Sequence, residues 1–405
     1  MAINDDSASL DLDYILMNDI DVAENILFTP IGTGTFPFTG TFDGNNFTIS
    51  NITFSDITMD FVGFFGYTDG ASISNLSLKN VSFEGYDRVG GLIGAAGNTS
   101  ISNSSVINTN SHQISGNNRV GGFVGAILGS DISNSYATGN AKGSSTSVGG
   151  FVGHMTDNST IFNSYAMGNA EGNEYVGGFV GMMVFSSNIS NSYAMGDAKG
   201  SSLSVGGFVG FMDESSISNS YATGDAEATG VDVGGFIGTL GSSTIDDSFY
   251  VGEPDSGDML KGDFIDPSEV KDYVSAKWNV PSRPNSNHIW YIPDGQNYPE
   301  FYWSYQPPTS QSNSSGGTGS ATIVNNNTPQ NNAASNNVQD NTPQNNTPQN
   351  NVTQNNTPQN NATPNNQSND STEQGSSNSL WWILVAVLLI AIVGGLAYVF
   401  YFKKK

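Results

Sequence analysis

A short glycine-rich motif that returns about every 28 residues is the feature that most restricts the fold of this 405-residue chain. The motif reads VGGLIG, VGGFVG or VGGFIG, with a shorter VGFFG at its first copy, and the copies start at Val62, Val89, Val120, Val148, Val176, Val205 and Val233. After a polar loop, each copy is followed by a second short segment such as ISNSYATG from Ile132. Both segments are rich in β-branched and aromatic residues and are bounded by Gly, Ser and Asn, which is typical of β-strands.

A repeat of this length predicts one coil of a parallel β-helix, because a propeller blade needs about 40 to 45 residues. Stacked coils bury each other's inward side chains, whereas a single coil buries too little surface to be stable. We therefore predict an all-β, right-handed parallel β-helix of about seven coils, with an N-terminal cap over residues 1–60, repeats over 61–252 and a C-terminal cap over 253–305. The sequence DPSE from Asp266 predicts a short helix that caps the open end of the solenoid.

Comparison of the copies predicts which side chains face the interior. Isoleucine opens the second segment and predicts an inward ladder at Ile73, Ile101, Ile132, Ile161, Ile189, Ile217 and Ile245. Two residues later a turn ladder is predicted at Asn75, Asn103, Asn134, Asn163, Asn191, Asn219 and Asp247, with side chains that bond between coils. Ser135 and Ala137 are replaced by Leu76 and Leu78 in the first copy, so both positions are predicted to point inward.

The residue between those two inward positions points outward, because side chains alternate along a strand. This position is aromatic in five copies, at Tyr136, Tyr165, Tyr193, Tyr221 and Phe249. In register, the rings form a stripe with about 4.8 Å between coils. The stripe is either a ligand-contact surface, for glycan rings for example, or a packing ladder that stiffens the solenoid. Further along, Lys142, Glu171, Lys199 and Glu227 alternate in charge and favour the same register.

The C-terminal quarter of the chain is not part of the repeat. Residues 306–379 are rich in Asn, Thr, Pro and Gln and predict a disordered linker. Residues 380–402 are uncharged and mostly apolar, which predicts one membrane-spanning helix. Interfacial aromatic residues and a cytoplasmic basic tail over 403–405 complete the predicted anchor, with Trp381, Trp382, Tyr398, Tyr401, Lys403, Lys404 and Lys405. This topology places the N-terminal domain outside the cell, although residues 1–15 do not resemble a signal peptide. Either a signal peptide lies upstream of Met1, as we expect, or the chain is inserted into the membrane by its C-terminal tail.

Charge and motif content exclude several functions. The formal charge of -25 argues against nucleic acid, whose binding depends on basic contacts to phosphate. The chain has no cysteine and no HExxH, P-loop or GxSxG motif. Its three histidines are far apart in sequence and are predicted to be surface or loop residues, not metal ligands: His112, His154 and His288. The row Asn140, Asn169, Asp197 and Asp225 is either a calcium-binding edge or, as we expect, a solvated one. No catalytic residue, cofactor or metal site is predicted.

The segment Gly91-Leu92-Ile93-Gly94 and its Gly-Phe-Val-Gly counterparts resemble the GLUG repeat, which occurs in bacterial and archaeal surface proteins, adhesin-like proteins and regions that flank secreted peptidases. The resemblance covers about residues 10–305. It implies a non-catalytic cell-surface protein, adhesin-like or a scaffold, that contacts a glycan or another surface protein. Two alternatives stay open, a carbohydrate-active β-helix enzyme and a purely structural envelope component. Asn-x-Ser/Thr sequons, such as those at Asn46 and Asn188, are candidate glycosylation sites.

Overall fold

The computed structural model describes residues 2–4, 7–23, 26–109, 111–230, 232–251, 262–278, 280, 289–293 and 296–301. All of them belong to one compact unit that spans residues 1–336. The predicted linker, membrane-spanning helix and basic tail lie outside the described residues. Within the described residues, no helix is both long and apolar enough to cross a membrane.

Each coil passes in turn through five parallel sheets, which we number 1 to 5 in chain order. Sheet 1 contains Asp13–Ile15, Thr41–Asp43, Ser72–Ser74, Ser100–Ser102, Asp131–Ser133, Thr160–Phe162, Asn188–Ser190, Ser216–Ser218 and Thr244–Asp246. Sheet 2 contains Ile20–Asp21, Thr48–Ser50, Ser77–Lys79, Ser105–Ile107, Tyr136–Ala137, Tyr165–Ala166, Tyr193–Ala194, Tyr221–Ala222, Phe249–Tyr250 and Asp263–Phe264. Sheet 3 contains Thr53–Ser55, Ser82–Glu84, Gln113–Gly116, Asn140–Gly143, Ala170–Gly172, Ala198–Gly200 and Ala226–Ala228.

The other two sheets are formed by the glycine-rich motif and the residues beside it. Sheet 4 contains Asp87–Gly90, Asn118–Gly121, Thr146–Gly149, Glu174–Gly177, Val205–Gly206 and Val233–Gly234. Sheet 5 contains Phe65–Asp69, Ile93–Gly97, Val124–Leu128, Val152–Thr156, Val180–Met183, Val209–Met212 and Ile237–Leu240. Outside the five sheets are an antiparallel pair, Trp290–Tyr291 with Glu300–Phe301, two 3-10 helices, Ala2–Asn4 and Ser7–Asp11, and one α-helix, Val270–Trp278.

The parallel β-solenoid predicted from the repeat is confirmed, and it has about eight turns. Equivalent residues of successive copies pair directly, as Ile101 does with Ile132. The N-terminal segment extends this stack, because Thr41–Asp43, Thr48–Ser50 and Thr53–Ser55 continue sheets 1, 2 and 3. Residues 41–55 therefore form part of a coil in addition to those with the glycine motif. The handedness of the coils stays a prediction.

A column of phenylalanine rings fills the interior behind the glycine motif. Phe123, Phe151, Phe179, Phe208 and Phe236 are fully buried and stack with ring centroids 4.7–4.9 Å apart. The predicted isoleucine ladder is also buried from Ile73 to Ile217, and Ile245 in the last coil is half-buried. Burial of each such side chain contributes about 1.5–3 kcal/mol. Because Phe stacks on Phe and Ile on Ile from coil to coil, successive coils have the same core.

Three glycines of each full motif stand where the backbones of successive coils approach closely. A Cβ on Gly178 would lie 2.2 Å from the carbonyl oxygen of Gly207 in the next coil. A Cβ on Gly177 would lie 2.0 Å from the carbonyl oxygen of Val180 in the same motif and 2.8 Å from the amide nitrogen of Gly210 in the next coil. A Cβ on Gly181 would lie 2.5 Å from the amide nitrogen of Val148 in the preceding coil. None of these positions tolerates a side chain, so the motif is a packing requirement, as its recurrence in every copy predicts.

The turn between sheets 1 and 2 is held by two side-chain ladders. The asparagine ladder is confirmed: its residues have φ between 47° and 54°, with 42° at Asp247, and Asn has an unusual tolerance for this left-handed region. The Nδ2 of Asn163 donates to the Oδ1 of Asn134 at 3.1 Å, across one coil step. Beside it, Ser135 and Ala137 point inward as predicted, and the amide of Ser135 donates to the Oγ of Ser164 at 3.3 Å. Side-chain hydrogen bonds thus link successive coils at this turn, while the Oδ1 of Asn163 is buried without a hydrogen-bond partner among the described residues.

The predicted helix is present as Val270–Trp278, and Asp266 caps its start by accepting a hydrogen bond from the amide of Ser268 at 2.8 Å. Trp278 donates from Nε1 to the carbonyl oxygen of Asp247 at 2.8 Å, and the Nζ of Lys277 lies 2.9 Å from Oδ1 of the same residue. The helix therefore contacts the last coil, where it was predicted. Residues 289–293 and 296–301 do not lie at that end, because Trp290 and Phe301 contact Tyr193 on the side of the solenoid.

Candidate functional site: the tyrosine stripe and its cover

The tyrosine stripe consists of Tyr136, Tyr165, Tyr193, Tyr221 and Phe249 on the outer face of sheet 2. Successive ring centroids are 4.8, 4.8, 5.0 and 5.4 Å apart, and the ring planes are parallel within 10°. The stripe lies outside the solenoid core and belongs to a second apolar cluster. Its register and its outward direction agree with the prediction from the sequence.

The stripe is not open to solvent, which corrects the prediction of a ligand-contact surface. The exposed fractions of its five side chains are 3%, 2%, 6%, 1% and 0%. The C-terminal segment covers the rings: Phe301 lies 5.4 Å from Tyr193, Trp290 lies 6.0 Å from Tyr221 and Trp278 lies 5.6 Å from Phe249. Aromatic side chains bury a large apolar area, so an apolar segment of the same chain takes the place that a ligand would need.

The cover is also held by a ring stack and by hydrogen bonds. Trp290 and Phe301 stack on each other with centroids 4.3 Å apart within the antiparallel pair. The Oη of Tyr221 donates to the carbonyl oxygen of Pro299 at 2.8 Å. The Oη of Tyr291 donates to Oε2 of Glu300 at 3.1 Å. The stripe is therefore a packing ladder between the solenoid and its C-terminal segment, which is the second of the two interpretations of the sequence.

The sequence contains a signal for this cover that the prediction did not use. Residues 289–301 place Trp290, Tyr291, Tyr298 and Phe301 in a short segment that is not repeated. This aromatic segment has no other copy to pack against, and the aromatic stripe of the same chain has none either. The two are therefore expected to bury each other's side chains.

Alkaline titration is expected to distinguish the buried tyrosines of the folded chain from the exposed tyrosines of the unfolded chain. Burial raises the pKa of Tyr165, Tyr193 and Tyr221 well above the ordinary value of about 10. The folded chain favours the neutral phenol, so this contribution to stability is complete below pH 10 and is lost as pH rises above it. Absorbance at 295 nm should show a fraction of the tyrosines ionising only when the chain unfolds. Ionisation of all tyrosines at the same pH in native and denatured protein would contradict the burial.

The histidines occupy different environments. His112 lies in a loop, as predicted, with its Nδ1 3.0 Å from the hydroxyl oxygens of Thr109 and Ser111. His154 corrects the prediction, because it lies in the strand Val152–Thr156 and its Nε2 is enclosed without a hydrogen-bond partner among the described residues. Burial lowers the pKa of His154 to about 4, and the positive charge of Arg119 adds to this effect. His288 lies outside the described residues.

His154 is therefore expected to stay neutral in the folded protein at pH 5. The unfolded chain takes up a proton near pH 6.5, so the stability that depends on neutral His154 is present above that pH and decreases as pH falls towards 4. Two-dimensional NMR of the imidazole resonances, with a His154→Gln variant for assignment, measures this directly. A native-state midpoint near 6.5 for this resonance would contradict its enclosed position.

The charged rows serve contacts between coils. Asp87 is buried and accepts hydrogen bonds from Arg119 of the next coil, through Nε at 2.8 Å and through Nη2. Arg88 lies 2.8 Å from the same carboxylate. On sheet 3 the predicted alternation is present, with Lys142 3.0 Å from Glu171 and Lys199 3.7 Å from Glu227. These exposed pairs each contribute about 0–1 kcal/mol and mainly favour the register.

The row of Asn140, Asn169, Asp197 and Asp225 also has a structural role. The amide of Asn169 donates to Oδ1 of Asn140 at 2.9 Å, and the two steps that follow repeat this contact at 3.0 and 3.1 Å. The side chains of this row therefore link successive coils through hydrogen bonds to the backbone. Across the part of the chain that the structure describes, no group of three or more His, Cys, Asp or Glu side chains is placed to hold a metal ion.

Fold and repeat together define a parallel β-solenoid that carries GLUG motifs. The GLUG motif family matches residues 116–141 and 201–227, and each of the two ranges includes residues of all five sheets. Halomucin from Haloquadratum walsbyi is 34% identical over 120 residues, which cover 27% of this chain and 1% of halomucin. A crystal structure described as that of a "putative immunoglobulin A1 protease" from Bacteroides ovatus is 22% identical and has a TM-score of 0.49, with 75% of this chain and 90% of that chain covered.

Proposed function

We propose that this chain is a non-catalytic cell-surface protein, adhesin-like or a scaffold, whose solenoid presents its outer faces to a glycan or to another surface protein. The observation that carries the proposal is the repeated polar outer face of sheet 1, which Phe162, 40% exposed, interrupts in one coil. Every coil from residue 72 to residue 218 places a short polar side chain at the first position of its strand, at Ser72, Ser100, Asp131, Thr160, Asn188 and Ser216. A regular face of this kind suits extended contact rather than one reaction centre.

Two of the acidic side chains support a non-catalytic role, because they are used in structural hydrogen bonds. Asp131 accepts a hydrogen bond from the hydroxyl of Thr160, and Oδ1 of Asp213 accepts from the amides of Glu214 and Ser242 at 3.1 and 2.7 Å. The GLUG motifs favour a surface location, since the repeats they resemble occur in surface proteins, and the partial similarity to halomucin points the same way. In this proposal residues 380–402 anchor the chain in the membrane and residues 306–379 hold the solenoid away from it.

Surface display can be tested on intact cells that express the full chain with an epitope tag fused at Ser201, in an exposed turn between sheets 3 and 4. We expect the tag to bind antibody and to be removed by added protease without lysis, and deletion of residues 380–405 to release the solenoid into the medium. A matched tag after Lys405 should be protected. Protection of the Ser201 tag until lysis would overturn the proposed location, and display without any change in cell adhesion would favour a purely structural envelope role.

A further inference from the structure

The N-terminal end of the solenoid has two open sheet edges. The strand Asp13–Ile15 is the first of sheet 1 and, among the described residues, pairs only with Thr41–Asp43. The strand Ile20–Asp21 is the first of sheet 2 and pairs, in the same part of the chain, only with Thr48–Ser50. An edge strand presents backbone amide and carbonyl groups that a further strand can use. We call residues 12–27, which contain both edge strands, the end coil.

The inward side chains of the end coil are incompletely covered. Tyr14 stands beside Phe42 in the inner column of sheet 1, and Phe42 is 3% exposed whereas Tyr14 is only half-buried. Ile20 stands beside Ile49 in the inner column of sheet 2, and their exposed fractions are 36% and 1%. The 3-10 helix that precedes the end coil contacts Tyr14, whose Oη donates to the carbonyl oxygen of Ser9 at 2.7 Å, but Ile20 stays open. Both inner columns therefore end on an apolar side chain that a further layer would bury.

The end coil also carries an unusual number of exposed apolar side chains. Six large ones are at least 36% exposed: Leu12, Ile15, Met17, Ile20, Ile26 and Leu27. The terminal repeat of a solenoid normally has a polar outer face, which keeps the protein soluble. Apolar side chains beside open strand edges are instead typical of a surface that binds an extended segment as an added strand.

The charge of this end indicates the chemistry of that segment. Residues 1–78 contain eleven Asp and Glu residues and no Lys, Arg or His. Four acidic residues at the end coil are exposed, and none of them forms an ion pair among the described residues: Asp11, Asp13, Asp19 and Asp21. A second copy joined through the same end would place these carboxylates against each other, which is unfavourable. A segment with Lys or Arg beside its apolar residues has the complementary charge.

We propose that the N-terminal end of the solenoid binds an extended basic segment of another polypeptide, which pairs with the two open strands and continues sheets 1 and 2. The inward residues of this segment cover Tyr14 and Ile20, so it carries two apolar side chains about six residues apart, as these two are. Its Lys or Arg side chains lie at outward positions and face Asp13 and Asp21. This partner is additional to the surface ligand proposed above, and its binding does not depend on the location of the chain.

A peptide based on the neighbouring coil tests the proposal, because residues 40–51 contain the strands that pair with the end coil. Lys in place of Thr41 and Ser50 puts a cation in register with Asp13 and Asp21. Fluorescence anisotropy of this labelled peptide, titrated with the full-length chain at low ionic strength, should show saturable binding. A peptide with Glu at both positions should bind at least 10-fold more weakly, and added salt should reduce the difference.

Substitutions in the full-length chain locate the site. Ile20→Ser should weaken binding of the Lys peptide about 10-fold, because it removes the apolar side chain at the end of the inner column. Leu203→Ser is the matched control, since Leu203 has a similar exposed fraction of 38% but lies in a distant coil, and it should leave binding unchanged.

A charge exchange keeps the test decisive if Ile20→Ser does not fold. Asp13 is exposed and makes no side-chain hydrogen bond among the described residues, so Asp13→Lys should fold and should bind the Glu peptide more tightly than the Lys peptide. Absence of saturable binding, equal binding of the two peptides, or equal effects of Ile20→Ser and Leu203→Ser would overturn the proposal. Dimers of the free chain in sedimentation experiments that Ile20→Ser dissociates would also overturn it, by assigning the end to a second copy.

Discussion

Replacement of Gly178 by alanine is expected to destabilise the solenoid by more than about 3 kcal/mol, beyond the usual cost of an overpacked core. The added Cβ would lie 2.2 Å from the carbonyl oxygen of Gly207 and 3.0 Å from that of Gly196. Both are backbone atoms of the next coil, so relief of the clash requires two coils to move apart. That movement would break parallel hydrogen bonds on both sides of the substitution and would separate the stacked rings of Phe179 and Phe208, now 4.9 Å apart.

Gly97→Ala provides the matched control. There the added Cβ would meet the hydroxyl oxygen of Tyr67 at 3.1 Å and Oδ1 of Asp69 at 3.2 Å, and both are the ends of side chains that can shift. We expect this variant to stay within about 1 kcal/mol of the wild type. Denaturant unfolding followed by circular dichroism compares the two. Equal midpoints for Gly178→Ala and Gly97→Ala would show that close backbone approach is not the reason for the glycine motif.

Replacement of Trp290 by alanine is expected to release the C-terminal cover from the tyrosine stripe. Trp290 is 4% exposed, stacks on Phe301 at 4.3 Å and contacts Trp278 at 5.2 Å. Removal of a buried tryptophan side chain costs about 3–5 kcal/mol, which is more than a two-strand unit of this size is expected to tolerate. The solenoid itself should remain folded, because its core cluster is separate.

Hydrogen exchange followed by mass spectrometry measures this local release. Amides of Glu300–Phe301 should exchange quickly in Trp290→Ala, while those of sheet 1 keep their protection. Ile289→Ala is the control, since Ile289 precedes Trp290 and is 42% exposed. Trp290→Phe should have a smaller effect than alanine, because the indole Nε1 has no hydrogen-bond partner among the described residues. Unchanged exchange at Glu300–Phe301 in the alanine variant would contradict the role of Trp290 as the centre of the cover.

The repeated part of the fold could be predicted in detail because seven copies of one coil lie in a single chain. The residue types at equivalent positions of the copies indicate whether a side chain points inward. The position of Ile132 is Ile in every copy, and the position of Ser135 is Leu76 in the first copy, so both are expected to face the interior. The same comparison predicted the asparagine turn ladder and the aromatic stripe, and general sheet geometry predicted the distance between its rings. Each of these depends only on contacts between equivalent residues of neighbouring coils.

The parts that differed from prediction depend on contacts between unlike segments. The exposure of Tyr193 is set by Trp290 and Phe301, which belong to a segment without a second copy to compare. His154 directly follows VGGFVG and continues the strand Val152–Thr156 of sheet 5, so its isolation from other histidines in the sequence does not indicate a loop or surface position.

The burial of the tyrosine stripe decides where a ligand can bind, and tyrosine modification tests it most directly. Native protein treated with tetranitromethane and mapped by mass spectrometry should carry nitrotyrosine at Tyr86, which is 48% exposed, and none at Tyr136, Tyr165, Tyr193 or Tyr221. Protection of these four residues is the result that burial beneath the C-terminal segment predicts. Nitration of Tyr165 and Tyr193 at the rate of Tyr86 would show that the stripe is open and would return it to the role of a ligand-contact surface.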